Sequence, residues 1–325
     1  MIIKAVKRRG SLEEGTEVIR LFNGFYEGIP DLVLDRYGHA LVVFDHSDGA
    51  FSQEFVREIA NWALTAVEGL DCVLLKQRQH PDEEHRKGIL IAGELLPDSV
   101  VELGIRYALN LRMNQDASFY PDTRELSQWL LAHAAGKRVL NTFAYTGSLG
   151  VAAGVGGAAR VVQTDLNRKF LRLARRSWEL NGLDSGSCET LAGDFFRVVG
   201  RLRRAEQLYD ILILDPPFFS ATKAGRVDLQ AGMTRLINKV RPLAAHDSTL
   251  VVINNALFLS GAAFKAELDR LCQSEYLSFE EIIPIPPEIT GYPETIVDNP
   301  PADPTPFNHP TKIALLHVFR KDERW

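Results

Sequence analysis

Residues 139–150 read VLNTFAYTGSLG. The apolar start is a buried strand, the turn holds Thr146, Gly147 and Gly150, and a helix begins there. In open α/β sheets ligands bind beyond the carboxyl ends of the strands. Small residues in such a turn let a ligand approach the backbone closely. The stretch is not a G-x-G-x-x-G fingerprint. The later GVGGAAR at 154–160 ends a helix rather than following a strand, which argues against a nicotinamide-dinucleotide site.

Outward from this stretch the chain alternates strand and helix, the mark of a parallel sheet with helices on its faces. RELSQWLLAHAA before it is helical. After it come the strand RVVQTD, the helix NRKFLRLARRSWELNGL stopping at Asn181–Gly182, and the strands CETLAGD and YDILILDPP. The helix VDLQAGMTRLINKVRPL, the strand STLVVINN, the helix FKAELDRLCQSE and the strand IALLHVFRK complete the series. Upstream, EVIRLFNGFYEGIPDLVLD and LVLDRYGHALVVFDH read as a β meander, followed by the helix FSQEFVREIANWALTAVEGL and the strand CVLLKQR. LPDSVVELGIRYALNLR reads as a hairpin near a boundary. The expected organisation is a small α/β domain over 1–104 and a larger α/β domain over 105–325. Residues 284–310, PIPPEITGYPETIVDNPPADPTPFNHP, are so rich in proline that they read as an ordered loop or a mobile lid.

The chain has 325 residues, 46% hydrophobic and 24% charged, which suits about two globular domains and excludes a disordered or collagenous chain. No run of about 18 apolar residues is present, so no membrane span is expected. The N-terminus lacks the apolar core of a signal peptide. Cys72, Cys188 and Cys272 are scattered and form no CxxC pair, so no metal is expected and the thiols read as reduced, in a cytoplasmic protein. Net charge is 37 − 42 = −5, which argues mildly against a nucleic-acid binder. The cations nevertheless cluster at Arg168, Lys169, Arg172, Arg175 and Arg176, and again at Arg197, Arg201, Arg203 and Arg204. Each cluster is either a solvated helix face or a substrate-facing patch.

Three carboxylates end successive strands. Asp165 is placed to bind ribose hydroxyls, or to cap the helix that begins near Asn167. Asp194, in LAGDFF, is placed to accept the amino hydrogen of an adenine with Phe195 beside the ring, or again to cap a helix. Asp215 opens DPPFFS at 215–220, where Pro216 and Pro217 make the turn rigid. A planar group can stack on Phe218 or Phe219 there, in the way base-modifying enzymes hold an extruded base.

This order of segments resembles the class I S-adenosylmethionine-dependent methyltransferases. More closely, NTFAYTGSLGVAA, LNGL, YDILILDPPFFS and the preceding NQDASFYPDTR resemble the bacterial large-subunit ribosomal RNA methyltransferases of the RlmI and RlmK/L type. NGFYEGIPDLVLDRYG resembles the domain ahead of the catalytic core in the RlmI type, and the RNA-binding PUA module expected before it is read as missing or truncated. The resemblance implies a Rossmann-like domain with a mostly parallel seven-stranded sheet and S-adenosylmethionine as cofactor. It places Phe143, Ala144, Tyr145, Thr146 and Gly147 around the methionine part, Asp165 at the ribose and Asp194 at the adenine. Asp215, Pro216, Phe218 and Asn254 would position the acceptor, with Asp215 also lining the cofactor.

Methylating C5 of a pyrimidine needs a cysteine thiolate, and no cysteine stands near the DPP loop or at the end of VVINNALF. The Asn254–Asn255 pair instead resembles the type that methylates a guanine ring nitrogen, which needs orientation rather than a covalent intermediate. Arg124 either pairs with the cofactor carboxylate or a phosphate, or is an ordinary helix arginine. Tyr120 is a lid or a core aromatic, and His309 a base or an incidental loop residue. The implied partner is ribosomal RNA of the large subunit, and a flat N-terminal sheet could support a homodimer. Two other readings compete: a methyltransferase acting on a protein or small molecule, and a non-catalytic cofactor-binding module in ribosome assembly.

Overall fold

The computed structural model describes residues 1–10, 15–49, 51–222, 225–229 and 232–320. It divides into two compact units, Met1–Asp122 with Pro286–Asn299, and Thr123–Ile285 with the chain from Pro300 onward. Among the described residues no helix is long and apolar enough to cross a membrane.

The first unit holds helices α1 (Ile2–Arg9), α2 (Gly24–Glu27), α3 (Gln53–Ala66) and α4 (Glu83–Lys87). Its strands β1 (Val18–Asn23), β2 (Leu32–Tyr37), β3 (Ala40–Asp45), β4 (Cys72–Gln77) and β5 (Ile89–Ala92) form one sheet in that order. β1, β2 and β3 are the expected antiparallel meander. β4 joins β3 in parallel, which requires a crossover, and α3 supplies it. Ser52 caps α3 by accepting from the Phe55 N–H at 3.1 Å. The apolar stripe of α3, Val56, Ile59, Ala60 and Ala63, closes the core over Leu32, Leu34, Leu41 and Val43.

A second hairpin, β6 (Ser99–Glu102) and β7 (Ile105–Ala108), turns on Leu103 and Gly104, both left-handed at φ 55° and 74°. The expected domain boundary at 104/105 falls inside this turn. The hairpin stays whole, and the units divide at Asp122 instead.

The proline-rich segment is split between the units. Residues 286–299 belong to the first because buried polar groups hold them there. Arg9 donates to the Glu288 carbonyl at 2.8 Å and pairs with Glu27 at 2.9 Å, while Asn23 Nδ2 donates to the Ile289 carbonyl at 2.7 Å. It is therefore an ordered segment with a helical turn at Pro287–Thr290.

The second unit holds α5 (Arg124–His133), β8 (Arg138–Thr142), α6 (Ser148–Val155), β9 (Arg160–Asp165), α7 (Arg168–Leu180), β10 (Cys188–Ala192), α8 (Phe195–Arg204) and β11 (Tyr209–Leu214). A small hairpin follows, β12 (Phe219–Thr222) and β13 (Gly225–Asp228), then α9 (Thr234–Val240), β14 (Ala244–Asn254), α10 (Gly261–Cys272), β15 (Leu277–Ile283) and β16 (Lys312–Val318). The sheet runs β10-β9-β8-β11-β14-β16-β15. Its first five strands are parallel, and β16 runs antiparallel to both neighbours. This is the expected Rossmann-like, mostly parallel seven-stranded sheet.

Leu140, Leu212, Leu214, Leu250, Val252, Ala314 and Leu316 are buried on one continuous core. Strands covered on both faces carry such near-continuous apolar runs. Strand order reverses between β8 and β11, so the ligand crevice of this fold lies at their carboxyl ends.

One helix is shorter than the sequence suggests. The sequence pattern starts a helix at VDLQ, but Val227 and Asp228 lie in β13, where Asp228 pairs with Phe219. The helix begins only at Thr234, after Gly232 in a left-handed conformation at φ 104°.

Candidate active site

The loop from β8 to α6 alternates in handedness. Phe143, Tyr145 and Gly147 have φ of 55°, 51° and 80°. Two of these are not glycine, so surrounding bonds must hold the strained backbone. Ala144 N–H donates to the Thr164 carbonyl at 2.8 Å, and Gly147 N–H to the Ala144 carbonyl at 2.7 Å. Tyr145 N–H donates to Asp165 Oδ2 at 2.9 Å.

The glycines here have a packing reason that the sequence did not show. A Cβ on Gly147 would stand 2.4 Å from Ala174 Cβ, and one on Gly150 2.4 Å from Gln163 Oε1. They let α6 and α7 close over the buried Gln163.

Asp165, half-buried at the end of β9, is not a helix cap. Asn167 caps α7, accepting from Lys169 N–H at 2.9 Å. Asp165 Oδ1 accepts from Asn167 N–H at 2.8 Å, so its carboxylate ties the first loop to the second. Burial pushes this carboxyl above its usual range, against the opposing pull of the backbone N–H groups. Leu166 beside it is 63% exposed, an apolar side chain left at the rim of the site.

Asp194 does cap its helix. Its Oδ1 accepts from Phe196 and Arg197 N–H at 3.0 and 3.2 Å, and its Oδ2 accepts from the Thr222 hydroxyl. A carboxylate has about four acceptor positions, and these three donors leave one. Asp194→Ala is therefore expected to cost about 1 kcal/mol of stability, and Asp194→Asn clearly less, measured by urea unfolding. Phe195 behind it stacks on Phe143 at 4.6 Å between ring centroids.

Asp215 follows β11 half-buried, Pro216 is buried, and Phe218 and Phe219 are 43% and 53% exposed. On the neighbouring strand, Asn254 is fully buried. Its Oδ1 accepts from Ala256 N–H at 2.9 Å, which fixes the amide so that Nδ2 points the other way. Asn254 Nδ2 and Asn255 Oδ1 are buried without a hydrogen-bond partner. Leu257 and Phe258, just beyond, are exposed.

Lys312 was missed. It pairs with Asn254 across β14 and β16, is fully buried, and donates from Nζ to the Ala256 carbonyl at 3.0 Å and to the Pro310 carbonyl. Asn254 and Lys312 thus grip one residue from both its N–H and its C=O. Burial pulls the Lys312 ammonium down to about 8. The only signal in sequence was one lysine opening an otherwise apolar strand, TKIALLHV.

The structure brings Phe143, Ala144, Tyr145, Thr146, Gly147, Asp165, Asp194, Asp215, Pro216, Phe218 and Asn254 to the carboxyl edge of one sheet. Arg124 opens α5, half-buried. Tyr120 belongs to the first unit and is exposed. His309 Nδ1 accepts from Thr311 N–H at 3.0 Å, a turn contact. Cys72 is in the first unit, Cys188 opens β10 and Cys272 ends α10. Burial pushes all three thiols up, away from thiolate. Among the described residues no group of three His, Cys, Asp or Glu could hold a metal ion.

A Rossmann-like sheet with acidic residues at or just beyond the ends of successive strands and a rigid DPP turn at the switch point is an architecture suited to a nucleoside cofactor. The chain belongs to the S-adenosylmethionine-dependent methyltransferase family, whose model matches residues 51–296. It is 34% identical over 218 residues to the ribosomal RNA large subunit methyltransferase I of Aeromonas salmonicida, covering 65% of this chain and 54% of that one. It is 30% identical over 219 residues to the protein of the same name from Escherichia coli O139:H28, covering 65% and 54%. The chain thus spans about half the length of the curated relatives it matches. Among solved structures, SMU.776 in complex with SAH superposes with a TM-score of 0.83 at 22% identity, over 98% of this chain and 81% of that one. The tRNA m1G37 methyltransferase of M. jannaschii superposes at 0.58 and 15% identity, over 98% and 78%. Both likenesses show the fold.

Proposed function

We propose that this chain methylates a base of large-subunit ribosomal RNA by direct transfer from S-adenosylmethionine, with no cysteine nucleophile. The observation that carries this reading is the pairing of two adjacent loops at the switch-point edge. One is the rigid Asp215–Pro216 turn with exposed Phe218, and the other is the Asn254–Asn255 turn with its buried, unpaired amide groups. Neither contains a thiol. The names of the curated relatives support ribosomal RNA as the acceptor.

The residues fit the cofactor. Asp165 offers a half-buried carboxylate whose backbone partners leave acceptor positions for vicinal hydroxyls, and Leu166 offers apolar surface beside it. Phe143 to Gly147 enclose the methionine part, Asp194 has its one remaining acceptor position for the adenine amino group, and Arg124 meets the carboxylate. S-adenosylmethionine supplies, when bound, a methyl group made electrophilic by its sulfonium. The chain's own part is to orient. Phe218 stacks on the acceptor base and Asp215 accepts an edge hydrogen, while the buried Asn254 positions the neighbouring turn by accepting from the Ala256 N–H. A ring nitrogen already carries the attacking lone pair, so holding it in line is the main contribution.

The protein is proposed to act in the cytoplasm. A homodimer through the first unit's sheet, where β5 is an open edge, belongs to the same proposal, and sedimentation analysis checks it. A protein or small-molecule acceptor is the second reading. The observation in its favour is that Arg201, Arg203 and Arg204 occupy the last turn of α8, at the opposite end from Asp194. There they complement the negative end of the helix rather than face the crevice.

The test is transfer of label from radiolabelled S-adenosylmethionine into a lysate of a strain lacking this protein, split into RNA, protein and small-molecule fractions. Label is expected in large-subunit RNA, falling about 100-fold with Asp215→Asn and within threefold of wild type when all three cysteines are replaced by alanine. Label in protein or small molecules moves the second reading to first place. No label, with S-adenosylhomocysteine still bound, overturns both in favour of a binding module.

A further inference from the structure

Helix α7 carries five cations, Arg168, Lys169, Arg172, Arg175 and Arg176, and no acidic residue before Glu179. All five are exposed. In a chain of net charge −5 this is a local feature. Its placement opposes the helix's own electrostatics. Arg168 and Lys169 stand in the first turn, at the positive end of the macrodipole, where an anion is favoured instead. Arg168 and Arg172 stand four residues apart, so like charges face one another along one stripe, a destabilising arrangement. Arg175 Nε donates to Thr190 Oγ1 at 2.6 Å, which secures one side chain. Among the described residues Arg168, Lys169 and Arg172 have no acidic partner. The arginines at the end of α8 differ, since their helix terminus accommodates them.

The cations begin three residues after Asp165 and run about 12 Å along α7 at 1.5 Å per residue. We infer that the outer face of α7 is a phosphate-backbone contact surface, on which Arg168, Lys169 and Arg172 bind the RNA strand whose base enters the site. This rests on the RNA reading above and adds the surface that holds the strand. A polyanion is the partner that relieves both penalties at once. It neutralises the repelling stripe and puts negative charge at the helix's positive end.

The test is equilibrium binding of protein-free large-subunit ribosomal RNA across a salt series from about 50 to 200 mM, comparing the full chain with the Arg168→Ala, Lys169→Ala, Arg172→Ala triple variant. The expected result is a slope of log K against log salt that flattens by about 2, with affinity at least 10-fold weaker in the middle of the series. S-adenosylhomocysteine affinity stays within twofold. The melting temperature is unchanged or higher, because repulsion is removed. Wild-type binding with an unchanged slope in the variant overturns this surface and leaves the RNA reading standing. A melting temperature several degrees lower also overturns it, since the cations would then be structural. If the wild type binds no RNA, this surface and the RNA reading fall together.

Discussion

Asp165→Ala is expected to weaken binding of S-adenosylhomocysteine about 100-fold and to destabilise the second unit. The carboxylate accepts from Tyr145 and Asn167 N–H at 2.9 and 2.8 Å. Hydrogen bonds to a charged group contribute about 1.5–3 kcal/mol each. Alanine removes both, including the bond to the Tyr145 N–H that helps hold that residue in its left-handed conformation. The loop from Phe143 to Gly147 then loses its shape, together with the acceptor proposed for the ribose. Asp165→Asn keeps one acceptor oxygen and is expected to fall between the two. Isothermal titration with S-adenosylhomocysteine, alongside urea unfolding, measures both effects. An affinity within threefold of wild type would remove Asp165 from the binding site, whatever the stability does.

Lys312→Met is expected to change the pH dependence of stability as well as its size. Methionine fills a similar volume but leaves the Ala256 and Pro310 carbonyls without their donor. Two unsatisfied buried acceptors cost roughly 2–6 kcal/mol, offset in part by no longer burying an ammonium. That burial cost sets the sign with pH. The folded-state value near 8 lies below the 10.5 of the free side chain. Between those values the unfolded chain holds more protons, so stability rises with pH. Below pH 8 the side chain is charged in both states and the full cost is present.

Wild type should therefore gain up to about 3 kcal/mol over the variant between pH 8 and 10.5. Lys76, also buried and drawn down to about 7, titrates in both proteins and cancels in the difference. Urea unfolding at pH 7 and pH 10 checks this, and parallel pH curves for the two proteins would refute it. Methyl transfer should fall with Lys312→Met as well, because the grip on Ala256 holds the Asn254–Asn255 turn.

The fold was legible because periodicity is local. VLNTFAYTGSLG, RVVQTD and YDILILDPP each declare a buried strand with a turn at its carboxyl end, and such strands can lie together only in a parallel sheet. The candidate site was largely legible for the same reason, since its residues follow those strand ends. Asp165 and Asp194 looked alike in sequence, each a strand-terminal aspartate before a helix. They part only because Asn167 takes the capping role after Asp165, whereas no residue replaces Asp194 in its cap. A two-residue difference in where the helix begins, Arg168 after Asp165 but Phe195 after Asp194, decides which side chain caps it.

By itself, then, the sequence determined the parallel sheet, the family and the loops that meet at the crevice. Each depends on patterns a few residues long. Tertiary structure alone decided the rest, because it depends on residues far apart in the chain. Buried polar bonds from Arg9 and Asn23 draw 286–299 into the first unit. The Leu103–Gly104 turn keeps a hairpin whole across the expected boundary. Lys312 reaches Asn254 only because β16 returns antiparallel beside β14, and that pairing places a buried cation next to the Asn254–Asn255 turn.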